Sequence, residues 1–258
     1  MPQDVLVLLA HQDDEVGIFS RIRHEIAAGN RVWCVYLTDG AKDVPATVRD
    51  AESLTVLRGL RIPTERVAFL RDAQGRIGDG TLMLHLARAR TALGVWVAGT
   101  QAHFSRIYTI DWEGGHADHD ACHLVALAVA RDLTISDIWT FSLYNAYRRP
   151  RGFFSVLSFV PAAQPVVRRR LSVRDAIDAA RIVFAYPSQR RTWLALGPGW
   201  IAKTLLRREE RLRRPDAARL AARPHDGALL YETLFKVDGT AMLDASADLR
   251  FELLKPTQ

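Results

Sequence analysis

The chain has 258 residues, of which 48% are apolar and 25% charged, with 16 Gly and 11 Pro scattered along it. That length and balance suit one sizeable core and exclude a disordered, fibrous or collagen-like chain. The formal net charge is +6, but it is uneven: residues 1–145 carry 14 basic and 18 acidic side chains, and residues 146–258 carry 21 and 11.

"DVLVLLAH" is a continuous apolar run of the kind a strand buried on both faces needs. "GIFSRIRHEIAAGN" follows with helical spacing and a Gly-Asn stop. "RVWCVYLTDG" is a second buried strand, holding Cys34, and "ATVRDAESLTVLRGL" a second helix. "RVAFL" fits a third strand and "GTLMLHLARARTALG" a third helix. The run "VWVAGTQAHFSRIYTID" is ambiguous, although "RIYTID" fits a strand. "DHDACHLVALAVARDL", with Cys122, is helical, and "DIWTFSLYNAY" is another strand. Strands alternating with helices predict a Rossmann-like α/β fold, a mostly parallel sheet flanked by helices. In such sheets ligands bind beyond the carboxyl ends of the strands. "AHQDDE", "TDGAK" and "WEGGHADH" each follow a predicted strand, so they are expected at one edge.

After residue 150 the pattern loosens. "LSVRDAIDAARIVFA" reads as a helix, "GWIAKTLLRREERLRR" as another that Pro215 breaks, and "LLYETLFKV" as a late strand. The expectation is a single domain over 1–258, with a core over about 1–150 and a basic, α-rich elaboration over about 151–258. Two cysteines in apolar runs read as core thiols, and a reducing cytoplasm is expected. The start "MPQDVLVLLAHQDDE" has no basic leader, and its apolar part is too short for a signal peptide or a membrane span.

The chemistry concentrates in two places. His11, Asp13, Asp14 and Glu15 alone read as an acidic helix start. His116, Asp118 and His119 alone read as a capping feature; the two histidines are three apart and share a helical face. Together, two strand-end loops that each bring His and Asp offer the ligand set of a catalytic zinc, which uses three protein ligands and keeps one position open.

"AHQDDE" resembles the AHPDDE motif, and "GGHADHD" the second, HPDH, motif, of the PIG-L/LmbE family. "TDGAK" with "RDAE" (Arg49 to Glu52) and "YPSQ" (Tyr186 to Gln189) resemble its weaker elements, so the likeness spans about three-quarters of the chain. The resemblance implies a zinc-dependent deacetylase acting on N-acetylglucosaminyl groups and related sugars. It implies His11, Asp14 and His119 as Zn2+ ligands and Asp13 as the general base. His116 is implied as a cationic group that stabilises the oxyanion or passes a proton to the leaving amine. Arg49 is implied to reach the substrate, and Asp118 to orient a histidine. Departures are Gln12 and Ala117 where the family has proline, and Tyr186 or Pro187 where it has histidine. His123 reads as packing, Asp39 as a turn, and "GRIGDG" lacks a dinucleotide fingerprint.

The expected substrate is an N-acetylated amino sugar or glycoconjugate. Rival readings are a related amidase on a thiol- or lipid-linked conjugate, a magnesium-dependent phosphoryl-transfer domain, and a non-catalytic basic binding module. No nucleic acid is expected as partner. The arginine clusters read as a solvated face or as a peripheral contact with anionic lipid through an amphipathic helix over "GWIAKTLLRREERLRR". Self-association into a homo-oligomer stays open.

Overall fold

The computed structural model describes residues 2–255. β1 (Asp4–Leu9) is followed by α1 (Phe19–Ala27), β2 (Arg31–Tyr36), α2 (Ala46–Gly59), β3 (Val67–Phe69), α3 (Leu86–Gly99), β4 (Phe104–Ile110), α4 (Ala117–Asp132) and β5 (Asp137–Phe141). These five strands are parallel, in the order β3-β2-β1-β4-β5. β1 lies between β2 and β4 and every one of its residues is buried, which is why its sequence shows no alternation. α4 is buried from Ala117 to Ala130, wedged between the sheet, α3 and the C-terminal helix. The strand order turns back between β1 and β4. Loops leaving these two strands diverge to opposite faces, and the crevice between them is the place for a ligand.

The second half begins with a short hairpin, β6 (Tyr144–Asn145) and β7 (Ser155–Val156), so "DIWTFSLYNAY" is two strands and not one. β8 (Val166–Arg170), α5 (Val173–Arg181), α6 (Arg190–Arg207) and β9 (Glu209–Arg213) follow. β9 and β8 join the main sheet beyond β5, antiparallel. The expected single helix through "RREERLRR" is therefore corrected: Arg208 turns left-handed at φ 48°, ends α6, and the next five residues are sheet. An amphipathic helix cannot rest those arginines on a lipid surface. The predicted late strand "LLYETLFKV" is also corrected. It contains α7 (Leu230–Leu234), where the Glu232 carboxylate accepts the Leu229 N–H at 2.7 Å. α8 (Gly239–Ala245) and α9 (Ala247–Leu254) complete the described chain. Among the described residues no helix is long and apolar enough to cross a membrane.

A candidate metal centre at the switch point

The loop after β1 is built to turn side chains sharply. Asp13, before a 3-10 turn over Asp14–Ile18, sits at φ 110°, where a non-glycine residue is strained, and its side chain does not cap that turn. The helix-cap explanation of the acidic run thus fails for Asp13. Asp14 instead curls back, and its Oδ2 accepts the N–H groups of Ala10 (3.1 Å) and His11 (2.7 Å). Glu15 is buried and accepts the Asp13 N–H at 3.0 Å and the Tyr186 hydroxyl at 2.7 Å. Gln12 turns away from its neighbours, donating to Asp50 at 2.7 Å.

The loop after β4 meets this one. His11 Nδ1 lies 3.3 Å from His119 Nε2, and Asp14 Oδ1 lies 3.1 Å from the same His119 atom and its Oδ2 3.7 Å from His11 Nδ1. Ligand atoms about 2.0–2.1 Å from a tetrahedral zinc ion stand about 3.3 Å apart, so these three groups are spaced as such a set requires. His11 donates its Nε2 proton to Asp118 Oδ2 at 3.1 Å, which leaves the Nδ1 lone pair facing His119 and Asp14. Asp118 is held in turn by the N–H groups of Gly80 (2.6 Å) and Leu82 (2.9 Å). The orienting role expected of Asp118 falls on His11, in the other loop.

The electrostatics ask for a cation. Burial opposes charge on His11, yet the Asp79, Asp118 and Asp14 carboxylates raise its pKa well above the usual imidazole value. Burial also works against ionised Asp14, but His119 and His11 hold it at about 2. A second group that could hold a metal, His11, Asp79 and His116, shares His11 through its other ring nitrogen. The Asp118 bond occupies that nitrogen and favours the set His11, Asp14 and His119.

Asp13 lies on the cleft side of the same loop. Its Oδ1 accepts from Arg49 at 2.9 Å, and burial raises its carboxyl to about 7 against the pull of that guanidinium. Arg49 is 5% exposed and also donates to Gly40 O at 2.7 Å and to Gln12 O. Gly40, at φ 60°, makes this possible, because a Cβ there would stand 2.8 Å from Arg49 Nη1. Arg49 holds Asp13 and its loop and also lines the cleft.

His116 is the N-cap of α4, and its Nδ1 accepts the Asp118 N–H at 3.1 Å. Burial and the charge of His11 lower its pKa to about 3. With Nδ1 accepting, the Nε2 side of the ring is left as the donor toward the cleft. His116 also packs edge-on against Phe235 at 4.6 Å. His123 faces elsewhere, donating from Nδ1 to Ile110 O at 2.8 Å beside Trp112, as packing. Asp39 receives the N–H groups of Ala41 and Asp79, both at 2.9 Å, and is the turn residue expected.

His11, Asp13, Asp14, Arg49, His116 and His119 all line one cleft of about 820 Å³ counted to its open mouth. Its opposite wall is Leu196, Trp193 and Trp200 of α6 with Phe235, and Lys42 stands over the Phe235 ring at 5.1 Å. Sequence reasoning missed this wall, and it missed Asp79, 3.4 Å from His11 Nε2. It also missed Glu113, which accepts from Ser142 (2.5 Å), Leu143 N (2.8 Å), Tyr144 N (3.0 Å) and Asn145 (3.1 Å) and so clamps the β5–β6 turn beside His119. The only signal for Asp79 was its place in a Gly-Asp-Gly turn. The weak elements do meet: Ser188 of "YPSQ" binds Glu52 of "RDAE" through its N–H (2.9 Å) and hydroxyl (2.5 Å).

Fold and centre together define an α/β domain with a His-Asp-His cluster at its switch point. A sequence model of the PIG-L family, described as GlcNAc-PI de-N-acetylase, matches residues 6–130. No curated protein matches the sequence. Solved structures share the fold at low identity. The zinc-inhibited form of teicoplanin deacetylase Orf2 aligns at TM-score 0.59 and 12% identity, over 82% of this chain and 97% of that one. The A40926 pseudoaglycone deacetylase Dbv21 aligns at 0.58 and 14%, over 81% and 95%. The N,N'-diacetylchitobiose deacetylase from Pyrococcus horikoshii aligns at 0.55 and 18%, over 83% and 84%.

Proposed function

We propose that the chain is a zinc-dependent hydrolase that removes acetyl from an N-acetylated amino sugar or glycoconjugate, releasing acetate and a free amine. The observation that carries the reading is the approach of His11, Asp14 and His119 within ligand spacing, with Asp13 beside them in one open cleft. The family match and the deacetylase neighbours support the same reaction class.

His11, Asp14 and His119 would hold the metal. A zinc ion there supplies Lewis acidity, which lowers the pKa of water to about 7 and polarises an amide carbonyl. Asp13, beside the ligand set and lining the cleft, is placed to take the proton of the attacking water. Arg49 positions Asp13 and keeps its carboxylate turned to the cleft; any contact it makes with substrate runs along the same edge. His116 offers its Nε2 proton to the carbonyl oxygen as negative charge develops there, a neutral donor that needs no deprotonation to reset. Water oxygen bonds to the acyl carbon, the C–N bond breaks, and the proton held by Asp13 leaves with the amine.

The wall of Trp193, Trp200 and Phe235 suits the apolar face of a sugar ring. That both halves of the chain line one cleft supports a single functional domain. The test is acetate release from a panel of N-acetylated sugars, free, nucleotide-linked and lipid-linked, with and without chelator. Acetate that appears with metal and stops with chelator is expected. No release from any member, with zinc or another divalent ion supplied, sinks the reading.

A further inference from the structure

Away from the metal cleft, the buried Arg213 and the half-buried Arg21, Arg106 and Arg169 have acid partners. Arg213 pairs with Asp111, Arg21 and Arg169 with Glu210, and Arg106 with Glu25 and Asp137. One group departs from this. The half-buried Lys203 and the exposed Arg207, a turn apart on α6, and the half-buried Arg211 on β9 line a second cleft whose inner wall includes Val16, Ile18 and Trp200. Among the described residues none of the three forms an ion pair. Lys203 Nζ donates to Val156 O (2.8 Å) and Ser158 Oγ (2.9 Å), and Arg207 to Leu157 O (3.0 Å), all neutral acceptors. Arg211 makes no hydrogen bond, and its Nε is buried without a partner.

Arg149 adds repulsion at Lys203, and Arg168 at Arg211. Burial, followed by this repulsion, lowers Lys203 to about 8. Of the two carboxylates at the rim, Glu210 is committed to Arg21 and Arg169, so only Glu209 opposes the cluster. A second, independent feature points the same way. Thr204 is 7% exposed and lines this cleft, yet its hydroxyl has no partner. A helical threonine ordinarily bonds back to the carbonyl four residues earlier. An unpaired hydroxyl among unneutralised cations is costly unless something else occupies the space.

We propose that this cleft is a binding site for a phosphoryl group, held by Lys203, Arg207 and Arg211 with Thr204 Oγ1 as a further donor. A surplus of at least two positive charges favours a dianion over a monocarboxylate, and guanidinium forks match phosphate oxygens. The site is separate from the metal cleft. Trp200, 2% exposed, stands between them and contributes to both walls, so a ligand here rests against the wall that a substrate would touch.

The test is calorimetric titration of the full chain with inorganic phosphate, pyrophosphate and, for comparison, acetate, together with sedimentation on phosphatidylcholine vesicles with and without phosphatidic acid. Pyrophosphate is expected to bind and acetate not. Arg211→Gln removes no hydrogen bond, so without ligand it should melt no lower than the wild type, and it should weaken pyrophosphate about tenfold to hundredfold. Thr204→Val should likewise fold with undiminished stability and bind more weakly. Asp13→Asn, in the other cleft, should bind pyrophosphate like the wild type. Retention on phosphatidic acid vesicles that Arg211→Gln abolishes would assign the phosphoryl group to a lipid headgroup; pyrophosphate binding without retention would assign it to a soluble ligand. The proposal is overturned if neither phosphate nor pyrophosphate binds, or if binding survives Arg211→Gln unchanged.

Discussion

Asp118 touches neither the cleft nor a second ligand, so replacing it by Asn tests whether the centre depends on how His11 is held. The carboxylate takes three bonds: His11 Nε2 (3.1 Å) and Gly80 N (2.6 Å) on Oδ2, and Leu82 N (2.9 Å) on Oδ1. An amide keeps at most the first two on its oxygen and turns its NH2 toward the Leu82 N–H. One buried donor is then left unpaired, at a cost of about 1–3 kcal/mol. The bond to His11 becomes neutral and weaker, which lowers the basicity of Nδ1. Losses of this kind reduce metal affinity about 10–100-fold. Competition for zinc between Asp118→Asn and a calibrated chelator reads the second effect, and chemical denaturation of the metal-free protein reads the first. A folded Asp118→Asn that binds zinc as tightly as the wild type would refute Asp118 as the group that fixes the His11 tautomer and leave that part to Asp79, 3.4 Å from the same Nε2.

Asp13→Asn should keep its metal stoichiometry and lose about 10²–10⁴-fold in turnover, measured as acetate released; near-normal turnover removes it as the base. Glu113 provides a pH signature from a carboxyl that holds the β5–β6 turn and is outside the ligand set. Burial raises its carboxyl from 4.5 to about 8, so the native state holds a proton that the unfolded chain has released. Its contribution to stability is full below about pH 4.5 and is lost as pH rises through about 8, so the melting temperature should fall over that interval and Glu113→Gln should flatten the fall. A Cβ at Gly115 would stand 2.0 Å from the backbone oxygen of Tyr144, which cannot rotate away. Gly115→Ala should therefore destabilise by about 1–3 kcal/mol and displace His116; wild-type denaturation and activity would show that the two loops are not so closely apposed.

The first five strands were legible because buried parallel strands advertise themselves as unbroken apolar runs, and β1 and β2 are such runs. The motifs were legible because each follows such a strand. What failed lies where tertiary contacts override local preference. "RREERLRR" is rich in helix formers, yet Glu210 is claimed by Arg21 and Arg169, and Arg213 by Asp111, and these contacts exist only if the segment is a strand between β5 and β8. "LLYETLFKV" is mostly apolar and reads as a late strand, but the Glu232 carboxylate binds the Leu229 N–H and both guanidinium contacts of Arg223, which favours a helical start. Asp79 was invisible because its part depends on a loop from β3 folding over the end of β1. That His116 Nδ1 is taken up by the Asp118 N–H was likewise invisible in the sequence, because it depends on the ring capping α4.

The charge imbalance between the halves takes on a physical meaning through these pairs. Read from sequence, a basic second half suggests a surface waiting for an anion. Several of its arginines instead meet acids of the first half: Arg213 and Arg219 converge on Asp111, and Arg214 reaches Asp137 at 2.8 Å. Asp111 follows β4 directly, five residues before His116, and Thr140 of β5 donates to its other oxygen at 2.9 Å. The buried pairs contribute little net stability once desolvation is counted, but breaking one strands a charge at a cost of about 3–5 kcal/mol. Their effect is to fix where β9 can lie, and through β9 where α6 lies, since only Arg208 separates the two. α6 carries Trp193 and Trp200 to the cleft. The same basic segment thus pins the cleft's aromatic wall to the strand that presents His116 and His119.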